Sequence, residues 1–218
     1  RRALIALAAL FPGAALAAPG DVLFTDNFER ATLAPWTTNN ATRAGLATGG
    51  AVSNSGNTGL FTRHGPVEAQ SPAFNAAVPA AELAIWVRRG SDAFSEDPDG
   101  GEDLLLEFRR TDGSWGALRT YSGAGTPGQV FNASLLLPPD ALHGSVALRL
   151  RQVGGSGVDF DYFHFDDVRV VERAAGSTLA VGTCDDFSSG VSTNWTINSG
   201  GGSAGTSAAT FQSPSASL

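Results

Sequence analysis

Six carboxylates fall within the twelve residues from Asp92 to Asp103: Asp92, Glu96, Asp97, Asp99, Glu102 and Asp103. Like charges this close repel unless water solvates them or a cation neutralises them. The spacing is not the D-x-D-x-D-G of an EF-hand loop. Two readings therefore stand: an exposed acidic hairpin loop, or a loop that binds a metal or another ligand. Further hard oxygen donors lie far apart in the chain, Asp26 and Glu29 early and Asp166 and Asp167 late. A third set is aromatic: Trp86, Trp115, Tyr121, Phe160, Tyr162, Phe163 and Phe165. Rings in strands fill cores by default, whereas an exposed ring beside polar groups suits a sugar. Trp115 closes the turn-like run Thr111-Asp112-Gly113-Ser114-Trp115 and is expected to be the most exposed ring and a ligand contact.

Catalytic signatures are thin. Gly201-Gly202-Ser203-Ala204-Gly205 matches G-x-S-x-G on paper, but it lies in a low-complexity run with no strand-to-helix elbow. His64, His143 and His164 show no metal-ligand spacing. A glycoside hydrolase needs only two carboxylates facing each other across a cleft, so that class stays open as an alternative. No catalytic residue is assigned, and the expectation is a protein that is not an enzyme.

The elements that must carry these residues read as strands. Leu83, Ile85 and Val87 alternate with Ala84, Trp86 and Arg88. Leu104, Leu106 and Phe108 alternate with Leu105, Glu107 and Arg109. Val146, Leu148 and Leu150 alternate with Ala147, Arg149 and Arg151, and Phe131 to Leu137 and Tyr162 to Val171 follow the same habit. Period two marks half-buried strands. Gly, Pro, Asn and Asp fill the connections, and no segment beyond the N-terminal run offers ten residues of helical period with caps. The expectation is an all-β, two-sheet jelly-roll sandwich of about eight to ten strands.

Residues 1–17 look like the end of a secretory signal: Arg1-Arg2, an apolar run from Ala3 to Phe11, then Ala15-Leu16-Ala17 at a cleavage site. There is no initiator Met, so the upstream end is expected to be missing. The chain is expected to be exported, to the periplasm, the outer surface or the medium of a bacterium. The net charge is −7, and all 14 basic residues are Arg. That balance argues against nucleic acid and anionic membrane as partners. No second long apolar run suits membrane insertion. The single cysteine, Cys184, is expected to pair with a thiol outside this sequence.

Two stretches repeat. Asp26-Asn27-Phe28 precedes Trp36 as Asp185-Asp186-Phe187 precedes Trp195, the Trp standing ten residues after the first Asp in each. Gly/Ala/Thr runs and Ser-rich turns follow both. Fixed-spacing repetition marks tandem modules. The expected layout is a first sandwich over 22–172, a linker over 173–183 and a truncated second copy over 184–218.

The run from Trp86 to Leu104, Gly125 to Phe131, Leu137 to His143, and Asp159 to Val168 resemble the N-terminal region of MSHA pilus biogenesis proteins of the MshQ type. More broadly the chain is similar to MAM-like and concanavalin-like jelly rolls, which begin with an Asp-Phe-Glu-like strand and end with an Asp-Asp-Val-like one. The resemblance implies a surface module tied to a mannose-sensitive haemagglutinin type IV pilus, with pilus or cell-surface proteins as partners. In such jelly rolls the first and last strands are neighbours. Asp26, Glu29, Asp166 and Asp167 would then meet and could hold a structural Ca²⁺, with alternation sending only one of Asp166 and Asp167 inward. A lectin-like domain that binds glycans is the alternative function.

Overall fold

The computed structural model describes residues 18–49, 51–90, 95–157 and 160–174. The signal-like segment, Asp92, Cys184 and the second repeat copy lie outside them. Among the described residues eleven strands are formed: β1 Val22–Asp26, β2 Thr37–Thr38, β3 Ala44–Thr48, β4 Thr58–Thr62, β5 Val67–Gln70, β6 Ala81–Arg89, β7 Leu104–Arg109, β8 Trp115–Tyr121, β9 Val130–Leu136, β10 Leu148–Gln152 and β11 Phe163–Glu172. One short 3₁₀ turn, Pro139–Ala141, interrupts them. No helix among the described residues is long and apolar enough to cross a membrane.

Two antiparallel sheets face each other. The first runs β3-β4-β11-β6-β9, and β1 also pairs with β11; the second runs β2-β5-β10-β7-β8. This is the expected all-β sandwich, with one strand more than the upper expectation because the two-residue β2 carries no alternation to detect. The period-two faces point as the residues require. Leu83, Ile85, Val87, Leu104, Leu106, Phe108, Leu148, Leu150, Phe163 and Phe165 interlock between the sheets, all nearly inaccessible to solvent.

Strand β11 organises the first sheet. Along one edge its first residues pair with β4 (Phe163↔Thr62, Phe165↔Leu60) and its later ones with β1 (Val168↔Asp26, Val171↔Val22). Strands β4 and β1 therefore lie end to end against one long strand, and β6 lines the other edge. Where β11 changes partner, three residue steps oppose two on β6: Asp166 pairs with Trp86, and Arg169 with Ala84. Asp167 is the extra residue, at φ +47°. Such a bulge shifts the phase of a strand. Strict alternation after Phe163 and Phe165 would drive Asp167 into the core. The bulge puts Val168 there instead, followed by Val170, and both are fully buried.

Candidate functional site

The four carboxylates expected at the chain ends are placed at this change of partner. Asp166 faces away from the core, yet it is fully covered because the segment 51–57 lies over it. Its Oδ2 accepts the backbone N–H groups of Asn54 (2.8 Å) and Ser55 (2.9 Å), and its Oδ1 accepts that of Asp167 (2.7 Å). Asp167 Oδ1 accepts the Ser55 hydroxyl (2.6 Å) and Oδ2 the Asn54 amide (2.7 Å). Glu29 Oε1 takes the N–H groups of Asn57 (2.8 Å) and Thr58 (2.6 Å). Both late aspartates thus grip one loop from outside the core, a correction to the expectation that one would turn inward; the bulge is the reason. Asp26 is turned elsewhere. It accepts the Phe28 N–H (2.8 Å), the Arg30 guanidinium (2.5 Å) and the Trp36 indole N–H (2.8 Å).

These contacts form a clasp that fastens segment 51–57 to the sheet. Seven of the eight carboxylate oxygens already accept a donor, and Ca²⁺ here would have to displace N–H groups. No three His, Cys, Asp or Glu side chains among the described residues are gathered to hold a metal ion. Burial raises the pKa of Asp166, and the neighbouring Asp167 adds to that; the N–H groups of Ser55, Asp167 and Asn54 work against it.

The acidic loop disperses its carboxylates. Glu96 Oε2 accepts the Asp161 N–H (2.9 Å), and Glu96 O accepts that of Tyr162 (3.0 Å). Glu102 Oε2 accepts the N–H of Asp99 (2.7 Å), and Asp103 Oδ1 that of Gly123 (2.9 Å). The Asp97 backbone presses on Gly90, where an added Cβ would stand 2.4 Å from the Asp97 Cα. Asp161, which sequence reasoning did not single out, is fully buried at φ +63°. Burial pushes its carboxyl up to about 7; the Ser156 N–H opposes this, while Glu102 and Glu96 add to it.

Beside this loop stands His164, buried on the outer side of the first sheet. Its Nε2 meets Ser95 Oγ at 2.9 Å, and its ring stacks on Tyr162 at 5.7 Å. Burial, with the nearby Arg88 charge, pushes its pKa down to about 3. Trp86 is also buried (5% exposed) on that outer side and takes no part in the inter-sheet core. Arg88 donates to Ala51 O (3.0 Å) and Gly90 O (3.3 Å), and the first of these bonds ties segment 51–57 to the sheet.

The second sheet is different, because its outer face is open. Glu68, Leu105, Arg149 and Arg151 are part-exposed there, and Ala117 and Thr120 are exposed. Glu107 is the hub of a charge ladder across β5, β10 and β7. Arg149 Nε donates to it at 2.7 Å, and Arg151 holds both its oxygens at 3.1 Å. Arg149 Nη1 also reaches Glu68 at 3.1 Å. Burial raises the pKa of Glu107, but the bonds from Arg151 and Arg149 outweigh it, and the group ends below the usual range. Trp115 sits next to the ladder, with the Arg149 guanidinium 4.2 Å from its ring centre. It opens β8 and is part-exposed. Phe160, 48% exposed, is the more open ring. The alternating charges of β7 and β10 were legible as a solvent face. That they interlock beside Trp115 depends on strand order.

Neither carboxyl with a raised pKa, Asp161 or Asp166, is exposed to solvent. Glu107 is held ionised by two arginines.

No family model matches the chain, and no curated protein is similar in sequence. Solved structures share the fold. The K1 cleaved adhesin domain of Lys-gingipain from Porphyromonas gingivalis superimposes with a TM-score of 0.52 at 14% identity, over 71% of this chain and 100% of that one. The tandem CBM22-1–CBM22-2 domain of Paenibacillus barcinonensis Xyn10C gives 0.52 at 15%, over 74% and 49%. The CBM22-1–GH10 modules of Clostridium thermocellum xylanase 10B, solved with xylohexaose, give 0.51 at 15%, over 72% and 29%.

Proposed function

We propose that this chain carries a non-catalytic binding module of an exported bacterial surface protein, and that its ligand is a glycan held on the open face of the second sheet. The observation that carries this reading is the Glu68–Arg149–Glu107–Arg151 ladder beside Trp115. Sugars are recognised by an aromatic face for the pyranose ring and by fixed donors and acceptors for its hydroxyls. Ion-paired guanidinium and carboxylate groups are such fixed partners, because each holds the other's rotamer. On the first sheet, segments 51–57 and 95–97 cover the part that carries Asp166 and His164. The shared fold supports the reading: one neighbour is an adhesin domain and another was solved with a xylo-oligosaccharide. Association with a type IV pilus rests on the sequence resemblance, and export on residues 1–17.

The test is a broad glycan array followed by titration calorimetry. Wild-type protein should bind a defined glycan class. Trp115→Ala and Arg149→Ala should each weaken that binding at least tenfold, a loss of about 1.4 kcal/mol, with unchanged circular dichroism. Silence across the array, or binding indifferent to both substitutions, would sink the assignment of this face.

A further inference from the structure

We infer that the free edge of β9 pairs with β9 of a second copy of this chain, the two strands running antiparallel about Ala133. This pairing is independent of what the second sheet binds. Strand β9 ends the first sheet and has no neighbour but β6 among the described residues. Its seven residues, Val130 to Leu136, hold no charge and no proline. An outer strand in this state is a template for another strand, and folds guard against that with charges, proline, bulges or brevity. The remaining outer strands carry such guards. β1 and β8 each break register along their one partner, and they contain Asp26 and Arg119. β2 has two residues, and β3 has five with a glycine among them.

The free main-chain groups of β9 can be named. Leu137 N–H donates to Ala81 O at 2.9 Å, and Arg89 N–H to Gln129 O at 3.0 Å. Between these bonds β6 and β9 keep one continuous register, from Glu82↔Leu136 to Arg88↔Val130. Opposed residues of an antiparallel pair alternate between exchanging main-chain bonds and exchanging none. Phe131, Ala133 and Leu135 therefore give their N–H and C=O groups to β6. Val130, Asn132, Ser134 and Leu136 turn theirs to the open edge. All four are exposed, Leu136 at 70% and Val130 at 43%.

This edge is complementary to itself. Antiparallel pairing about Ala133 sets Val130 against the partner's Leu136 and Asn132 against the partner's Ser134, and the reverse. Each of the four open residues then meets another of the bonding kind, and each such pair exchanges two bonds. A shift of two residues either way would set Leu136 against Gly128 or Val130 against Pro138, both outside the strand. The side chains agree with the backbone: exposed aliphatic groups cover each other, and an amide lies beside a hydroxyl. The two-fold axis of such a pair stands perpendicular to the sheet. The first sheets join into one, and both second sheets lie on the same side of it. Their open faces then point the same way, so that a dimer meets a glycan-bearing surface at two points; that consequence rests on the glycan reading, and the pairing does not.

The experiment is sedimentation equilibrium of the full chain, kept reduced so that Cys184 cannot cross-link. A strand edge is smaller than a standard interface of roughly 1,200–2,000 Å², so the dissociation constant should fall between about 1 μM and 1 mM. Hydrogen exchange followed by NMR reads the register. The amides of Val130, Asn132, Ser134 and Leu136 should gain protection as the dimer forms, whereas those of Phe131, Ala133 and Leu135 are protected at every concentration. Leu136→Lys places a charge on the edge and should weaken the dimer at least tenfold. Asn132→Pro removes an N–H that β6 does not use and should abolish it, with circular dichroism checking that both variants fold. A chain still monomeric at about 1 mM would overturn the proposal. So would a dimer whose four edge amides exchange as in the monomer, or one that forms unchanged in the folded variants.

Discussion

His164 shows what a single residue does in this fold. Its spacing in the sequence marks no role, and in the fold it lies under segment 95–97. Its ring is neutral, buried and stacked on Tyr162. Burial first, and the Arg88 charge second, hold its pKa at about 3, against about 6.5 in an unfolded chain. A depressed pKa stabilises the fold above the unfolded value, and that stability is lost as pH falls. The window is therefore from about pH 6.5 down to about 3, at up to about 1.4 kcal/mol per pH unit. Thermal melts across this range should show His164→Phe losing less stability on acidification than wild type. Parallel curves would refute the assignment. Asp26 makes a complementary point. Its bond to the Trp36 indole, ten residues on, and the contact of Phe28 with Trp36 at 5.5 Å show what the Asp-x-Phe…Trp spacing does at residues 26–36.

At the scale of elements, the segment 51–57 is the instructive one. It has no hydrophobic period, and sequence reasoning saw a Ser-rich turn. The structure lays it flat on β4 at Gly59, where a Cβ would stand 2.1 Å from the Val52 carbonyl. Glu29, Asp166, Asp167 and Arg88 hold it from four sides, so it cannot yield. Gly59→Ala should therefore cost about 1–3 kcal/mol as an overpacking change, lowering the chemical denaturation midpoint with an unchanged slope. A neutral outcome would mean that the segment lifts freely. Strand β11 teaches the same lesson from the other side. Its phase change is written in the residues, with Phe163 and Phe165 of one parity and Val168 and Val170 of the other. A bulge at Asp167 is the only way to bury all four.

For the whole molecule, β11 is where early and late chain meet, since β1 and β4 share one edge of it. Asp166 stands at their junction. Asp166→Ala would remove the acceptor of the part-buried N–H groups of Asn54, Ser55 and Asp167, at about 1–3 kcal/mol in all. The expected drop in melting temperature is about 5–15 °C for a domain of this size, read by calorimetry. A shift under about 2 °C would show that the clasp contributes little to global stability.

The sequence by itself determined the all-β class, the inward faces of β6, β7, β9 and β10, and, in the resemblance, the pairing of an early strand with a late one. Those features are periodic or local, and a period of two survives any strand order. Only the tertiary structure decided the partners of the charges. Asp166 and Asp167 look alike as neighbours of a cation, and it took the bulge to set Asp166 against backbone N–H groups and Asp167 against the Ser55 hydroxyl and the Asn54 amide. Glu96 was one of six loop carboxylates until the fold brought the Asp161 N–H to it from 65 residues along the chain. Glu107, Arg149 and Arg151 became a ladder only when β10 was placed beside β7. Long-range contacts of this kind depend on sheet order, and sheet order is set by how the whole core packs.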